Sequence, residues 1–341
     1  MPLTDLIEQA FAPATEALRG DNIPGAVLGI VTADGTRAVR WAGWAQIEPE
    51  REPISRDTVF DLASLTKVIF TTTTILRLVE QGRIGLDDPL TVAIPDLRQY
   101  DMDAAERHLT FRQCLAHQTH LPAVEPLYTY GQDPDTLRAF ILQRVWRSGP
   151  PVYSDINFML LGIAIERITG TPLIEQPLPG GFTFRPDPCL CAATERCTWR
   201  GRVIRGEVHD ENAFALGGAS GHAGLFGTID AVLDFARSIL DGSALSAESL
   251  KAIRTRESDK RTVGWEGFYA GWHGGDACSP TTIGHTGFTG TGLWLDFERG
   301  LAWSLLTNRV HPTRHKDTGI MPLRRATGEA VIALFDQNRR S

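Results

Sequence analysis

Residues 60–70 read FDLASLTKVIF and place one serine, Ser64, three positions before one lysine, Lys67. Residues three apart lie on the same face of a helix. The Ser64 hydroxyl and the Lys67 amine can therefore meet if this segment is helical and Ser64 lies in its first turn. No other serine in the sequence precedes a lysine by three positions. The stretch predicts a helix N-terminus that carries a hydroxyl and an amine side by side.

The lysine itself is an unusual choice of cation for this chain, which has only four lysines against thirty arginines. Lys67 stands among apolar neighbours. An amine in apolar surroundings has a lowered pKa and can act as a base, which a guanidinium cannot do. Lys67 is therefore a candidate base beside the Ser64 hydroxyl, although the pair alone is weak evidence because so short a pattern recurs by chance. The alternative is that Ser64 is an ordinary first-turn residue and Lys67 a surface amine whose stem packs on apolar neighbours.

The composition is that of a globular protein. With 341 residues, 42% apolar and 22% charged, the chain can bury a large core in one or two domains. The formal charge of -7 is spread without basic runs. This argues against nucleic acid as a partner and favours a small-molecule substrate. The clearest apolar run, residues 158–165, is far shorter than the roughly eighteen residues needed to cross a bilayer, so no membrane span is predicted.

The N-terminal segment lacks the basic start and apolar stretch of a signal peptide. Acidic residues interrupt it at Asp5, Glu8 and Glu16. As given, the chain is predicted to be cytoplasmic, unless a leader has been removed.

Five cysteines are an odd number in a large chain, which indicates reduced thiols rather than a disulfide framework. Three of them cluster at Cys189, Cys191 and Cys197. A zinc site is the alternative interpretation of this cluster. Its spacing, however, lacks a second Cys-x2-Cys pair or a neighbouring histidine pair of the usual kind.

Two other patterns have a binding interpretation that we do not favour. Histidines pair at His117 and His120 and again at His311 and His315, but without a matching carboxylate we expect them to be hydrogen-bonded structure rather than metal ligands. The glycine-rich run of residues 217–227 lacks the Gly-Lys-Ser/Thr ending of a phosphate loop, and no predicted strand precedes it. It is expected to allow close backbone packing. No metal and no cofactor are therefore predicted.

The periodicity of apolar residues predicts strands at both chain ends and helices in the middle. A helix over residues 3–19, which Pro13 is expected to kink, precedes a hairpin with strands over 25–31 and 36–44. The predicted helices of the middle cover residues 63–81, 110–117, 136–146 and 157–169. Residues 172–209 have no periodicity and are predicted to be a long irregular segment. The C-terminal part is predicted to contain a helix over 229–240, strands over 263–272, 281–286, 292–296 and 301–308, and a final helix over 323–335.

Two more motifs follow Ser64-Leu65-Thr66-Lys67 along the chain: Tyr153-Ser154-Asp155 and His285-Thr286-Gly287. Their order and spacing resemble the three motifs of the serine β-lactamase and penicillin-binding-protein superfamily. Residues 153–162, YSDINFMLLG, are similar to its tyrosine loop and the helix that follows. Residues 115–122, LAHQTHLP, are similar to a loop that more often ends in Ser-Gly-Leu-Pro. The chain is most similar to the class C β-lactamase-like group, which includes esterases, D-aminopeptidases and carboxypeptidases.

The resemblance implies an α+β fold of the β-lactamase type, with an antiparallel sheet flanked by helices and an inserted, mostly helical domain. We assign residues 1–62 and 222–341 to the discontinuous sheet domain. Residues 63–221 are assigned to the helical domain, which includes the irregular segment 172–209.

The resemblance also implies a role for each motif. Acyl transfer requires a nucleophile, a base, a route for the proton and donors for the oxyanion. Ser64 would be the nucleophile, and Lys67 the base or the cation that keeps the base deprotonated. Tyr153 would complete the proton shuttle, and the backbone N–H groups of Ser64 and Phe288 would form the oxyanion hole. His285 would orient Tyr153 or bind a substrate carboxylate.

Substrate contacts are expected from Asp155, Asn157, Thr286 and Gly287. Two positions depart from the family pattern. Asp155 stands where asparagine is more common, and a carboxylate there favours a charged Lys67 and disfavours an anionic substrate group, unless Asn157 supplies the amide. His285 stands where β-lactamases usually have lysine, so we expect weak or no β-lactamase activity.

We therefore predict a serine hydrolase that forms an acyl-enzyme at Ser64 on a small ester, amide or D-amino-acid peptide. Residues 206–213 and 307–312 resemble a branch of the superfamily associated with cell-wall peptide or amide turnover, so a peptidoglycan fragment is a candidate substrate. One rival hypothesis is a catalytically silent binding or sensing protein, and another is a metal-dependent hydrolase that uses the cysteine or histidine clusters. The structural alternatives are a packed aromatic at Tyr153 and an ordinary strand histidine at His285.

Overall fold

The computed structural model describes residues 2–340. Its α-helices are α1 (Leu3–Ala10), α2 (Ala12–Arg19), α3 (Thr73–Glu80), α4 (Phe111–Leu115), α5 (Pro134–Gln143), α6 (Asp155–Thr169), α7 (Glu211–Ala215), α8 (Ile229–Leu240), α9 (Ala247–Arg254) and α10 (Ile320–Arg340). Its strands are β1 (Gly25–Thr32), β2 (Arg37–Gln46), β3 (Glu52–Pro53), β4 (Phe60–Asp61), β5 (Phe182–Thr183), β6 (Arg196–Cys197), β7 (Arg202–Val203), β8 (Phe226–Gly227), β9 (Glu266–Gly267), β10 (Ile283–Thr286), β11 (Gly292–Asp296) and β12 (Leu301–Thr307).

Seven strands form one antiparallel sheet, in the order β3-β2-β1-β12-β11-β10-β9. The two ends of the chain meet at its centre, where β1 pairs with β12 from Ala26 opposite Thr307 to Thr32 opposite Leu301. β10, which carries His285, lies one strand from the edge formed by β9. The third sequence motif is thus placed near one side of the sheet.

Helices cover both faces of this sheet: α1, α2 and α10 pack on one face and α8 on the other. In β1, Leu28 and Ile30 belong to the core under α1 and α10, whereas Val27 and Val31 belong to the core under α8. This alternation follows because successive side chains of a strand point to opposite faces. The α+β class with an antiparallel sheet flanked by helices, predicted from the sequence, is confirmed.

The core under α8 continues into the middle of the chain, where α6 is buried along most of its length. The division of the chain into residues 1–62 with 222–341 and residues 63–221 stays a prediction. Between residues 172 and 209 the regular structure is limited to short 3-10 turns and the two-residue strands β5, β6 and β7. None of the helices within residues 2–340 is long and apolar enough to cross a membrane.

The segment before Lys67 is a tight turn rather than the start of a regular helix. Asp61 ends β4, and its Oδ1 accepts the backbone N–H of Ala63 at 2.8 Å. Ala63 has a left-handed φ of +47°, which is uncommon for a residue with a Cβ. The backbone N–H of Lys67 then bonds to the carbonyl of Ser64, only three residues earlier. Ser64 is therefore held at the outer end of the helix that follows.

That helix begins with a π-helical turn, Lys67–Thr72, before it becomes α3. Two threonine hydroxyls bond to carbonyls five residues earlier: Thr72 Oγ1 to Lys67 at 2.7 Å and Thr73 Oγ1 to Val68 at 3.0 Å. The regular α-helix predicted over residues 63–81 is thus wrong in its first turns. The run of threonines 71–74 supplies the side-chain donors that accompany the wider turn.

One predicted helix and one predicted strand are shorter in the structure than the sequence indicated, because of proline and glycine residues. The helix predicted over residues 3–19 is broken at Phe11, two residues before Pro13. The strand predicted over residues 263–272 is reduced to β9, because Gly264 and Gly271 both have φ of +80° and turn the chain.

Three helices also differ from the sequence prediction, two in their ends and one in not being predicted. α5 begins with Asp133 as its N-cap and ends at Gln143, before the predicted end at residue 146. α10 extends beyond the predicted 323–335 at both ends. No helix was predicted at α9, whose N-cap is Ser246. The strands β1, β2, β11 and β12 and the helices α6 and α8 lie within two residues of their predicted ends.

Candidate active site

The three sequence motifs meet in one cleft of about 400 Å³. Six predicted residues line it: Ser64, Tyr153, His285, Thr286, Gly287 and Phe288. Six lining residues were not predicted: Arg261, Glu266, Arg309, Ile320, Met321 and Arg324. The fold therefore brings together motifs that lie more than two hundred residues apart in the sequence, together with several cationic side chains.

Lys67 lies behind Ser64 and is fully buried. Its Nζ donates to Ser64 Oγ at 2.9 Å and to the backbone carbonyl of His222 at 3.2 Å. Asp155 Oδ1 lies 2.8 Å from the same nitrogen, and the centre of the Tyr153 ring lies 5.0 Å from it. The Ser64 hydroxyl and the Lys67 amine, which the sequence predicted to meet, are in contact.

The charge of Lys67 depends on two opposing effects. Burial lowers the pKa of an amine, but the Asp155 carboxylate and Tyr153 outweigh it and raise the pKa of Lys67 above its usual value. Lys67 is thus held as an ammonium, as expected from the carboxylate at Asp155 and contrary to the lowered pKa that its apolar neighbours predicted. To act as a base it must first lose a proton, so its action on Ser64 is favoured by alkaline pH.

Replacing Asp155 with asparagine tests this control by charge. The variant keeps the size of the side chain and removes a negative charge 2.8 Å from Lys67 Nζ, so the pKa of Lys67 is expected to fall. The pH at which the acylation rate rises should then fall by about one to three units. Asp135→Asn, at an exposed carboxylate on α5, should leave the profile in place. An unchanged profile in Asp155→Asn would remove Asp155 from the mechanism.

Tyr153 lies between two imidazole rings. The ring of His117 packs against it with the centroids 4.5 Å apart, and the ring of His285 lies 5.9 Å away. The guanidinium of Arg261 lies 5.0 Å from the centre of the same ring. Tyr153 is thus packed against groups that can orient it beside Lys67. His117 has a left-handed φ of +55°; the sequence placed it in the family-like loop 115–122 and as a metal ligand that we did not favour, but gave it no role beside Tyr153.

Hydrogen bonds define the tautomer of each imidazole. His117 Nδ1 accepts the backbone N–H of Ser154 at 3.0 Å, so its proton is on Nε2. His285 Nδ1 lies 3.0 Å from the carbonyl of Thr286, which can only accept, so His285 carries its proton on Nδ1. Burial and the nearby cations lower the pKa of both imidazoles well below the usual value. His285 is therefore a neutral acceptor, which favours orienting the tyrosine over binding a carboxylate.

The loop after β10 is held against the segment that precedes Ser64. Thr291 Oγ1 donates to the carbonyl of Leu62 at 3.0 Å. Gly287 is needed here, because a Cβ would lie 2.6 Å from that same carbonyl oxygen. Phe288 and Ser64 both line the cleft, and their backbone N–H groups have no hydrogen-bond partner within residues 2–340. Two unpaired backbone donors at one cleft are what an oxyanion hole requires.

Two arginines of the cleft have no acidic partner among residues 2–340. Arg309 Nε donates to the carbonyl of Phe288 at 2.8 Å. Arg324 is buried and donates to the carbonyls of Gly287 and Thr291, both at 2.7 Å. Burial lowers the pKa of Arg309 and lowers the pKa of Arg324 to about 9. Both remain cations at neutral pH, and an anion in the cleft would offset the cost of burying them.

The third arginine, Arg261, already has a partner, since its guanidinium lies 3.2 Å from Glu266 Oε2. Burial opposes the ionisation of Glu266, but His273 and Arg261 lower the pKa of Glu266 to about 2. Arg309 belongs to a stretch, 307–312, that the sequence already associated with one branch of the superfamily. Nothing in the sequence alone marks Arg324, because it is one of thirty arginines and its setting depends on how α10 packs.

Two predicted substrate contacts, Asp155 and Asn157, do not line the cleft. Asn157 is fully buried, its Oδ1 accepts from Thr119 Oγ1 at 2.8 Å, and its amide nitrogen lies 3.4 Å from His117 Nδ1. These contacts hold the loop that follows α4. Asn157 therefore does not take over the amide role of the second motif, and Asp155 is the residue of that motif next to Lys67.

The cysteine and histidine clusters do not form a metal centre in the part of the chain that is described. All five cysteines are free, and Cys189 is exposed whereas Cys191 and Cys197 are buried. Within residues 2–340, no three His, Cys, Asp or Glu side chains are grouped so that they could hold a metal ion. His311 instead accepts the backbone N–H of Ile47 at 2.9 Å.

Comparison with known proteins extends the similarity over most of the chain. Residues 7–325 match the family model described as Beta-lactamase. The chain is 30% identical to an N-acetylmuramyl-L-alanine amidase of Bacillus subtilis, over 84% of this chain and 78% of the relative. It is 31% identical to a protein of Escherichia coli that is provisionally named D-alanyl-D-alanine carboxypeptidase, over 74% of this chain and 70% of the relative.

A solved structure shares the same fold at lower sequence identity. EstCE1, a hydrolase with promiscuous acyltransferase activity, superposes with a TM-score of 0.74 at 20% identity, covering 96% of this chain and 98% of its own. The likeness confirms the β-lactamase-like fold that the three motifs predicted.

Proposed function

Because the chain belongs to the beta-lactamase family, we propose that it hydrolyses its substrate by acyl transfer through Ser64, with Lys67 as the base and Tyr153 in the proton route. It is a hydrolase of the β-lactamase and penicillin-binding-protein superfamily, like its amidase, carboxypeptidase and esterase relatives. The observation that carries the proposal is the 2.9 Å contact of Lys67 Nζ with Ser64 Oγ, in a cleft that Tyr153 also lines.

The proposed reaction follows from the positions of these groups. Neutral Lys67 takes the proton as Ser64 Oγ attacks the substrate carbonyl, and the backbone N–H groups of Ser64 and Phe288 stabilise the resulting oxyanion. The proton then passes by way of Tyr153 to the leaving alcohol or amine. Water completes the cycle by attacking the acyl-enzyme.

The cations of the cleft support a substrate with a carboxylate close to the scissile bond. Arg309 and Arg324 stand beside Phe288 without an acidic partner in residues 2–340, while Ile320 and Met321 add apolar surface. A D-amino-acid peptide ends in such a carboxylate, and one relative is named for releasing D-alanine. We therefore propose a short peptide or amide with a free carboxylate as the natural substrate class, and simple esters as slower alternatives.

Replacing Arg309 with methionine tests this substrate class. We expect the chain to hydrolyse both a D-alanyl-terminated peptide and an uncharged short-chain aryl ester. In Arg309→Met, KM for the peptide should rise about ten- to a hundredfold, because a charge-assisted contact is lost, with little change for the ester. Arg325→Met is the matched control, because Arg325 is already paired with Asp276 and Glu329.

Two outcomes would contradict the proposal. Equal effects of Arg309→Met on the peptide and on the ester would exclude carboxylate recognition by this residue. Hydrolysis of neither substrate by the wild-type protein, at any pH from neutral to alkaline, would contradict the function itself.

A further inference from the structure

Two stretches that stood out in the sequence, residues 206–213 and the glycine-rich run 217–227, meet directly behind Lys67. Lys67 Nζ donates to the backbone carbonyl of His222, which lies in the glycine-rich run. A Cβ at Gly221 would lie 1.9 Å from the backbone oxygen of Phe158, so glycine lets the run approach α6 this closely. Thr71 Oγ1 also donates to the carbonyl of Gly221, at 2.6 Å. The run is thus packed between the Lys67 helix and α6.

The side chain of His222 is held at both ends of its ring. Its Nδ1 lies 2.9 Å from Ser220 Oγ, and its Nε2 lies 2.9 Å from Asp210 Oδ1. The imidazole is 1% exposed. Asp210 is fixed as well, because the same Oδ1 accepts the backbone N–H of Ala213 and caps α7. Ser220, His222 and Asp210 form a hydrogen-bonded chain in which Ser220 and His222 are buried and the Asp210 side chain is 34% exposed.

This chain has the residue types of a catalytic triad, but its position gives it another use. Ser220 is 3% exposed and does not line the cleft, so a substrate carbonyl cannot reach its hydroxyl. What faces the catalytic groups is the backbone carbonyl of His222. The side chains therefore act on the catalytic centre only by fixing that carbonyl.

The number of N–H groups on Lys67 shows what this carbonyl can do. A lysine ammonium has three N–H groups, and Lys67 Nζ lies 2.9 Å from Ser64 Oγ, 3.2 Å from the His222 carbonyl and 2.8 Å from Asp155 Oδ1, with the Tyr153 hydroxyl as a fourth partner. When the amine loses one proton, its two remaining N–H groups can stay on the Asp155 carboxylate and the His222 carbonyl, which can only accept, because the hydroxyls of Ser64 and Tyr153 can also donate. The lone pair then points at the Ser64 hydroxyl.

We propose that Asp210 and His222 are positioning residues for Lys67: they hold the His222 carbonyl as an acceptor that directs the neutral amine at Ser64. The proposal rests on the proposed function, since it requires Lys67 to act on Ser64. Without the acceptor, the amine is free to turn its lone pair away from the serine. The carbonyl also stabilises the ammonium form before the reaction begins.

Other ionisable groups around this assembly must be held constant in a test. Asp155 and Tyr153 face Lys67 directly, and the charge of Lys67 also acts on His117 and His285. On the other side, His209 and Asp61 face Asp210. None of these side chains is changed in the variants below.

The test compares two substitutions of Asp210. Asp210→Ser keeps a residue that can cap α7 but is too short to reach the imidazole, whereas Asp210→Asn keeps both the cap and an acceptor for His222 Nε2–H. An alkyl fluorophosphonate reports on Ser64: its phosphorus bonds to Ser64 Oγ, fluoride leaves, and the serine proton passes to Lys67. At alkaline pH, where Lys67 is neutral in every variant, we expect labelling of Ser64 to be about ten- to a hundredfold slower in Asp210→Ser and largely restored in Asp210→Asn.

A direct measurement on Lys67 separates positioning from a merely structural role. The chain has only four lysines, so NMR of protein labelled with 13C-lysine can follow each one, and Lys67→Arg identifies the signal. Loss of the acceptor should lower the pKa of Lys67 in Asp210→Ser, and the acidic limb of the labelling rate should move the same way. Asp210→Asn should return both towards the wild-type values.

A second variant keeps the proposal testable if Asp210→Ser does not fold. Ser220→Ala removes one ring contact of His222 without adding volume, and we expect labelling to slow by about three- to tenfold with the same direction of change at Lys67. Wild-type labelling rates and an unmoved Lys67 titration in folded Asp210→Ser or Ser220→Ala would overturn the proposal. Absence of labelling at Ser64 in the wild-type protein would instead overturn the proposed function.

Discussion

Replacing Ser64 with alanine is expected to lower kcat for ester and peptide hydrolysis by about a thousandfold or more. The change removes the atom that would bond to the acyl group, and neighbouring oxyanion donors and binding contacts can supply only a small residual rate. The fold should survive, because the hydrogen bond recorded for the Ser64 side chain is the one with Lys67. Thermal unfolding of the variant checks this directly.

The matched control is Ser243→Ala, at an exposed serine in the turn after α8. It should hydrolyse both substrates at the wild-type rate. If Ser64→Ala kept more than about a tenth of the wild-type kcat, the nucleophile would have to be another group. A metal-dependent route would then be open to test with a chelator.

Replacing Lys67 with methionine should cause a loss of similar size in kcat/KM. Methionine fills much the same buried space but cannot accept the Ser64 proton. Lys67→Arg distinguishes a base from a fixed positive charge. It keeps the charge beside Asp155, but a guanidinium does not give up its proton near neutral pH and has a planar shape that does not match the oxygens around Lys67.

We expect Lys67→Arg to be as inactive as Lys67→Met, at every pH at which the wild-type protein is folded. Burst kinetics with the aryl ester would show whether the block lies in acylation, because an intact acylation step releases one equivalent of product quickly. Activity in Lys67→Arg within about tenfold of the wild-type value would mean that Lys67 acts only as a cation. The base would then have to be Tyr153.

The features that the sequence predicted best are those set by residues close together in the chain. Ser64 and Lys67 could be paired because three positions span one helical turn, and this geometry survives the π-helical turn that follows. The hairpin of β1 and β2 and the helix α6 could be predicted for the same reason, since glycine at their ends and apolar periodicity are local signals. The order of the three motifs then allowed Tyr153 and His285 to be added.

What could not be predicted depends on contacts between distant segments. The apolar neighbours of Lys67 predicted a lowered pKa and the motif pattern predicted that Asp155 favours the charged form; which effect prevails depends on the 2.8 Å approach of Asp155 in the fold. Arg324 is placed under the loop after β10 by the packing of α10, which no spacing in the sequence reveals. His222 contacts Lys67 through its backbone carbonyl. Every residue has such a carbonyl, so the residue type at position 222 could not predict this contact.

The acyl-enzyme at Ser64 is tested most directly by the intact mass of the protein within seconds of mixing with an ester, a D-alanyl peptide and, separately, a penicillin. We expect that the ester or the peptide adds the mass of one acyl group, that peptide mapping places it on Ser64, and that Ser64→Ala gains none. Turnover of the ester or peptide with the added mass on another residue, or with equal added mass in Ser64→Ala, would contradict this expectation.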